Sequence, residues 1–177
     1  MSGAIAKGGE RSVFSADKIA KRVEALAKAI AAAPLKPDVA VPVLVGAFVF
    51  AADLMRALAK RGLDLETEFV WLRSYGRADK PGDVIVLKAP TEIVRGKTVL
   101  LIDGVLDSGA TLARAKELLE EVGVAAIISV VLAEKPHGAR VFKPDHVGFT
   151  AGPEFLYGYG MDRAGLGRGL PDVRVQK

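Results

Sequence analysis

The chain has 177 residues, which is room for one domain with a substantial core and too little for two large ones. Half of the residues are hydrophobic and 6% are aromatic, so the core is aliphatic and a disordered chain is excluded; the absence of cysteine excludes disulfides, thiolate metal sites and cysteine nucleophiles. The formal charge of +4 helps to attract a polyphosphate, and no tract resembles a basic nucleic-acid-binding segment.

Residues 1–13 are mostly small, polar and glycine-rich and read as a flexible tail. They hold no apolar stretch of signal-peptide length. The longest uncharged run, residues 39–52, contains Pro42 and Gly46 and is shorter than a membrane span, so a soluble cytoplasmic chain without membrane contact is expected. His137 and His146 lack metal-ligand spacing and read as ordinary loop residues.

Ser15 is placed to cap a helix, and Asp17 favours its positive end. Ile19, Val23, Leu26, Ala27 and Ile30 share one face before Pro34 stops it, a covering helix without chemistry. Residues 39–45 form a buried strand in which Pro42 calls for an edge position or a bulge. Gly46 and a helix over 48–61 follow, stopped by Gly62 with Lys60 and Arg61 in the last turn. Residues 65–73 alternate as a strand, with Leu65, Thr67, Phe69 and Trp71 on one side. A polar loop opens at Ser74, Tyr75 and Gly76, and residues 84–87 return as a second strand; on the residues alone this is a long hairpin.

Residues 98–102 are an uncharged, mostly aliphatic run of strand length. They meet Asp103, Gly104, Asp107 and Gly109, after which Leu112, Ala115, Leu118 and Leu119 recur on one helical side. The first N–H groups of a helix have no intrahelical acceptor, and the helix dipole is positive there, so a strand that turns straight into a helix makes an anion seat. Gly109 lets a ligand approach, and the hydroxyls of Ser108 and Thr111 are available to complete the seat. Carboxylates beside it would repel a bare anion and therefore face another part of the same ligand. A phosphate joined to a polyhydroxylated or metal-bound portion meets both demands, although strand–turn–helix units with Asp and Gly also occur without that chemistry. The helix stops around Gly123, and residues 125–132 form another β-rich aliphatic run.

Residues 102–112, IDGVLDSGATL, resemble the phosphoribosyl pyrophosphate (PRPP) motif of type I phosphoribosyltransferases. In that motif two acidic residues, two aliphatics, Asp, Ser or Thr, Gly, any residue and Thr follow a hydrophobic run; Gly104 stands where the second acid is expected. The segment LVGAFVFAADLMRAL is similar to the pyrophosphate loop and helix of the hypoxanthine-guanine branch, with Val45 in place of a lysine. There the loop binds through backbone N–H groups, often across a cis peptide, so Leu44–Val45 is expected to adopt the cis form. On the residues alone, Gly46 serves equally to pack strand against helix. FVWLRSYG resembles the branch's mobile lid, with Arg73 replacing a serine and Ser74 and Tyr75 kept.

After residue 132 the chain looks like the purine end of the same branch. Lys135 matches the lysine that donates to the purine 6-oxo group, Phe155 the aromatic that stacks on the base, and Leu156 the position whose backbone reads the base edge. Tyr159-Gly160-Met161-Asp162 resembles Tyr-Gly-Leu-Asp, whose Asp helps to hold Mg²⁺ and the base's surroundings, and Arg168 matches a pyrophosphate-binding arginine. Taken singly, Lys135 reads as well as a solvated lysine, Phe155 as a core plug and Arg168 as a surface charge; the ordered run of matches from Phe14 to Val173 carries the resemblance.

The resemblance implies an α/β fold with a central, mostly parallel sheet flanked by helices over residues 14–177, and a small hood formed mainly by the C-terminal segment from about 133. It implies transfer of a 5-phosphoribosyl group from PRPP to hypoxanthine or guanine. Asp107, Ser108, Gly109, Ala110 and Thr111 would cradle the 5′-phosphate, Asp107 would act as the acid–base group at purine N7, and Asp103 would bind ribose hydroxyls or Mg²⁺. Leu44, Val45, Gly46 and Arg168 would take the pyrophosphate, Lys135, Phe155, Leu156 and Asp162 the purine side, and Asp162 would share the metal. Relatives assemble as dimers or tetramers, so a homodimer or homotetramer is implied. Two rivals stay open: a non-catalytic purine-nucleotide-binding regulator, and a phosphoribosyltransferase for another 6-oxopurine such as xanthine.

Overall fold

The computed structural model describes residues 10–74, 83–136 and 140–176. Tyr75 and His137, singled out in the sequence, lie outside the described residues. In chain order the elements are β1 (Glu10–Phe14), α1 (Ala16–Ala32), β2 (Val39–Leu44), α2 (Phe48–Ala59), β3 (Glu66–Thr67), β4 (Val70–Ser74) and β5 (Val84–Lys88). A 3₁₀ turn at Glu92–Val94 leads to β6 (Thr98–Leu106), α3 (Ala110–Val122), β7 (Ala126–Glu134), β8 (His146–Thr150), β9 (Leu156–Tyr157) and β10 (Val173–Gln176).

The main sheet runs β5-β4-β2-β6-β7-β8, parallel throughout except for the antiparallel β5 edge, with β3 beside the start of β2. Its central strands are aliphatic on both faces because helices cover both. Ala40, Leu100, Ile102, Ile128 and Val130 pack under α1 and α2, while Val39, Val41, Val43, Val99 and Leu101 pack against α3. The α1 face is the expected one, and the Ser15 hydroxyl accepts from the Lys18 N–H at 3.4 Å. Among the described residues no helix is long and apolar enough to cross a membrane.

Five sequence expectations need correction. The flexible tail is shorter than residues 1–13, because Glu10–Phe14 forms β1, paired with β10 in a small second sheet ordered β1-β10-β9. The hood does not start near 133: β7 runs to Glu134 and β8 continues the main sheet, so the separate layer consists of β9, β10 and the N-terminal β1. Pro42 is not on an edge, since β2 lies between β4 and β6. The Ala40 carbonyl accepts from the Glu68 N–H, so Pro42, two residues on, turns its missing donor to the same side, where β3 has ended and β4 has not begun. The strand expected at 98–102 continues to Leu106, with β7 pairing residues 103, 105 and 106. The strand expected at 65–73 is broken at Glu68 and Phe69, and the side carrying Phe69 and Trp71 is the exposed one.

Glu68 explains that break. Its buried carboxylate accepts from Lys88 Nζ at 2.6 Å, from the Phe69 N–H at 2.7 Å, and from the N–H at 3.1 Å and the hydroxyl of Thr91. A buried charge is tolerated only when paired and hydrogen-bonded, and here it ties β4, β5 and the following turn together. Burial by itself would push the Glu68 carboxyl up; Lys88, Thr91 and Phe69 outweigh it and bring it down to about 2 from an ordinary 4.5. A depressed carboxyl contributes stability that is present above the unfolded value and is lost as pH falls toward the folded one. Glu68→Gln is therefore expected to lower stability by about 2–3 kcal/mol at neutral pH, with the gap to wild type closing as pH drops from 4.5 toward 2. Urea unfolding of both proteins across that range measures it, and coincident midpoints at pH 7 would contradict it.

Candidate active site

The site is built at the carboxyl ends of β2, β6 and β7. Because β6 and β7 pair as far as Leu106 and Glu134, and the Lys135 N–H then bonds the Leu106 carbonyl at 2.9 Å, the residue after each strand end stands beside the other. Those residues are Asp107 and Lys135. Lys135 Nζ lies 2.8 Å from Asp107 Oδ2, with the lysine side chain 13% exposed and the aspartate 55%. Arg140 fixes the lysine's backbone, donating to its carbonyl and pairing with Glu134 at 2.6 Å. No single-sequence pattern links positions 107 and 135; only the strand register does.

Asp103 sits within β6, its Oδ1 accepting from the Gly104 N–H at 2.7 Å. Burial pushes its carboxyl up to about 7, and that one hydrogen bond only partly opposes the shift. Beyond Asp107, Gly109 caps α3 in the left-handed conformation at φ +88°, and the Ser108 hydroxyl accepts from the Ala110 N–H at 3.3 Å. A β-carbon on Gly109 would lie 2.8 Å from Phe142 Cβ, so the glycine serves the left-handed turn and the packing of Phe142 against it.

The chain after β2 contributes Leu44, Val45 and Gly46, and the Leu44–Val45 peptide bond is cis. Ala47 donates to the Val43 carbonyl and Phe48 to the Val45 carbonyl, each at 3.3 Å, which leads the loop into α2. The C-terminal segment closes over this loop. Arg168 reaches the Gly160 carbonyl at 2.8 Å and Asp162 Oδ1 at 2.6 Å, while the Gly165 N–H donates to Asp162 Oδ2 at 2.7 Å. Tyr159 donates its hydroxyl to Asp53 of α2 at 2.6 Å; burial, and then Asp53, push that phenol well up.

Leu44, Val45, Gly46, Asp103, Asp107, Thr111, Lys135, Phe155, Leu156, Asp162 and Arg168 line one cavity of about 330 Å³. Phe155 is 59% exposed at its mouth, whereas Leu156 is buried in β9. Ser108, Gly109 and Ala110 form the turn next to Thr111 without lining the cavity, and Ser74 ends β4. Sequence reasoning missed Val43, Leu72, Val105 and Met161 as lining residues, and missed the Tyr159–Asp53 bond. A larger cavity of about 510 Å³ lies between α1, α2 and residues 168–171, with Arg168 shared by both. Its walls are mainly apolar, though Glu24, Asp53, Arg56 and Lys60 are among them; the smaller cavity is the one that joins the ends of β2, β6 and β7 to the start of α3.

The residues fit a Mg²⁺ ion that arrives with a phosphate ligand. Among the described residues no cluster of three or more His, Asp or Glu is placed to hold a metal alone. Mg²⁺ needs only one or two carboxylates when substrate phosphates and waters complete its shell, and Asp103 and Asp162 line the same cavity.

Residues 11–163 match the family model described as phosphoribosyl transferase domain. The chain is 36% identical over 161 residues to a hypoxanthine-guanine phosphoribosyltransferase of Aquifex aeolicus, covering 89% of each chain. It is 33% identical over 171 residues to the enzyme of the same name from Bacillus subtilis, covering 95% of this chain and 93% of that one. A solved structure of Trypanosoma cruzi hypoxanthine phosphoribosyl transferase superposes with a TM-score of 0.84 at 30% identity, covering 94% of this chain and 91% of the other.

Proposed function

The chain belongs to the phosphoribosyl transferase domain family, in its hypoxanthine-guanine branch, and from that premise we propose how its own residues perform the reaction. The protein is a purine salvage phosphoribosyltransferase, moving the 5-phosphoribosyl group from PRPP to hypoxanthine or guanine and releasing pyrophosphate with IMP or GMP.

Breaking the anomeric C–O bond leaves positive charge on the ribose ring and negative charge on pyrophosphate. Catalysis is therefore the stabilisation of separated charge by groups already in place. The turn from Asp107 to Thr111, at the amino end of α3, takes the 5′-phosphate through backbone N–H groups and the Ser108 and Thr111 hydroxyls. Asp103 would take the ribose hydroxyls and, with Asp162, would hold the metal. Mg²⁺, when bound, neutralises the leaving pyrophosphate. Arg168 and the backbone of Leu44, Val45 and Gly46 receive that leaving group from the chain's side.

The observation that carries the purine assignment is the ion pair of Lys135 and Asp107 at 2.8 Å. A 6-oxopurine presents its O6 and N7 side by side on one edge. A cation and a carboxylate held next to each other meet those two atoms together: Lys135 donates to O6 while Asp107 holds the proton at N7 as N9 attacks. Phe155, exposed at the mouth, offers its face to the base, and the Leu156 backbone borders it. Ser74 and Tyr75 are assigned to a lid that keeps water from the ribosyl cation. The reading also carries a cytoplasmic location and a homodimer or homotetramer, the latter measurable by sedimentation.

A panel of hypoxanthine, guanine and xanthine assayed with PRPP and Mg²⁺ tests the function. Turnover with hypoxanthine or guanine is expected; tight nucleotide binding with no turnover of any base would favour a regulator. Asp107→Ala is expected to cut turnover by about 10²–10⁴ with the fold retained, and unchanged turnover would reject the assignment. Lys135→Ala is expected to raise KM for the base far more than KM for PRPP, and equal rises would show that the lysine serves neither edge atom.

A further inference from the structure

Asp162 lies in a stretch of backbone that a chain does not adopt unforced. Tyr159 and Ala164, on either side of it, both occupy the left-handed region, at φ 50° and 51°. A β-carbon makes that region unfavourable, a bulky side chain more so, and such a residue persists only where its surroundings over-determine it. For Tyr159 three things do so. Its N–H bonds the Leu170 carbonyl at 2.9 Å, its ring is buried in the core shared by α1 and α2, and its hydroxyl donates to Asp53 Oδ2 at 2.6 Å. The third is the directional one. Asp53 is itself oriented by Arg56, which donates to its Oδ1 at 2.6 Å.

This bond joins two rigid pieces of the cavity wall. Helix α2 starts at Phe48, two residues after Gly46, so Asp53 is fixed relative to the loop of Leu44, Val45 and Gly46. On the other side, Asp162 follows Tyr159 by three residues, and its carboxylate is gripped by the Gly165 N–H at 2.7 Å and by Arg168 at 2.6 Å. The Gly160 N–H bonds the Arg168 carbonyl at 2.9 Å, and the Gly160 carbonyl accepts from the Arg168 guanidinium at 2.8 Å, so the arginine moves with the turn. Tyr159 and Asp53 line the larger cavity and not the smaller one, so they act on the site only through these neighbours. We propose that Tyr159 and Asp53 are positioning residues whose hydrogen bond sets Asp162 and Arg168 against the loop after β2, and with them the affinity for Mg²⁺-pyrophosphate. That the ligand is pyrophosphate rests on the reading given under Proposed function. The base side is held separately, Lys135 by the Leu106 carbonyl and Leu156 by its pairing with Val175 of β10.

The test compares the full-length protein with Tyr159→Phe, Asp53→Ala, Asp53→Asn and the double variant Tyr159→Phe/Asp53→Ala, in steady-state kinetics and in titration with Mg²⁺-pyrophosphate alone. Tyr159→Phe keeps the ring, and the carboxylate it leaves is 38% exposed, so water replaces the phenol and the variant is expected to melt near wild type. Kd for pyrophosphate and KM for PRPP are expected to rise about tenfold in Tyr159→Phe and in Asp53→Ala, with KM for the base changed less than about twofold. The double variant is expected to lose no more than either single one, because the two residues form one link. Asp53→Asn keeps an oxygen that accepts from the phenol and is expected to stay within about threefold of wild type. Wild-type pyrophosphate affinity in Tyr159→Phe would overturn the proposal. So would additive losses in the double variant, or equal rises in KM for PRPP and for the base, which mark a general support of the fold. A loss in Asp53→Asn as large as in Asp53→Ala would overturn it too, placing the effect on the charge. If wild type turns over no base yet binds pyrophosphate, and Tyr159→Phe weakens that binding, the positioning role stands while the catalytic reading falls. If wild type binds no Mg²⁺-pyrophosphate, the role is refuted.

Discussion

The register in which β6 lies against β7 governs the chemistry of this protein. Residues 98–106 pair in parallel with 126–134, and the pairing continues past the aliphatic core to the last residue of each strand. Asp103 is thereby held inside the ladder, and Asp107 and Lys135 leave their strands as neighbours. A slip of one residue would turn every side chain of β6 to the opposite face. Asp103 would then leave the cavity, and Asp107 would lose its lysine. The aliphatic residues on both faces of the two strands therefore set the geometry of the charged groups at their carboxyl ends.

The second contribution comes from the other end of the chain. Tyr159, Gly160, Asp162 and Arg168 fold back over the loop after β2 and connect to each other and to Asp53 of α2. That segment packs into the core shared by α1 and α2, with Leu156, Tyr159, Met161, Val173 and Val175 among its members. The cavity is thus walled by elements drawn from across the sequence. At Asp103, inside the cavity, burial raises the carboxyl to about 7. The Gly104 N–H opposes that shift only in part.

Much of this architecture was legible in the residues. The capped α1, the aliphatic strands and the strand–turn–helix at 98–122 follow from periodicity, caps and glycines, and their faces came out as read. The errors fell where tertiary contacts overrule local pattern. Glu10–Phe14 looks like a tail because its partner, β10, lies at the opposite end of the chain. Residues 65–73 alternate as one strand, but Glu68 turns inward to meet Lys88 and Thr91, which no local rule foretells. Pro42 seemed to demand an edge because the interruption that accommodates it belongs to the neighbouring strand. At the site, motif positions named the residues, whereas the Lys135–Asp107 pair and the Tyr159–Asp53 bond depend on strand register and tertiary packing.

The central claim is that the amino end of α3 holds a sugar phosphate while Lys135, Asp107 and Phe155 present a purine to it. A crystal structure with a bound 6-oxopurine nucleoside 5′-monophosphate measures that directly. The account predicts the phosphate against the Ser108–Thr111 turn, O6 within hydrogen-bond distance of Lys135 Nζ, and the base on the ring of Phe155. A phosphate seated anywhere else, or a base turned away from Lys135, would contradict it.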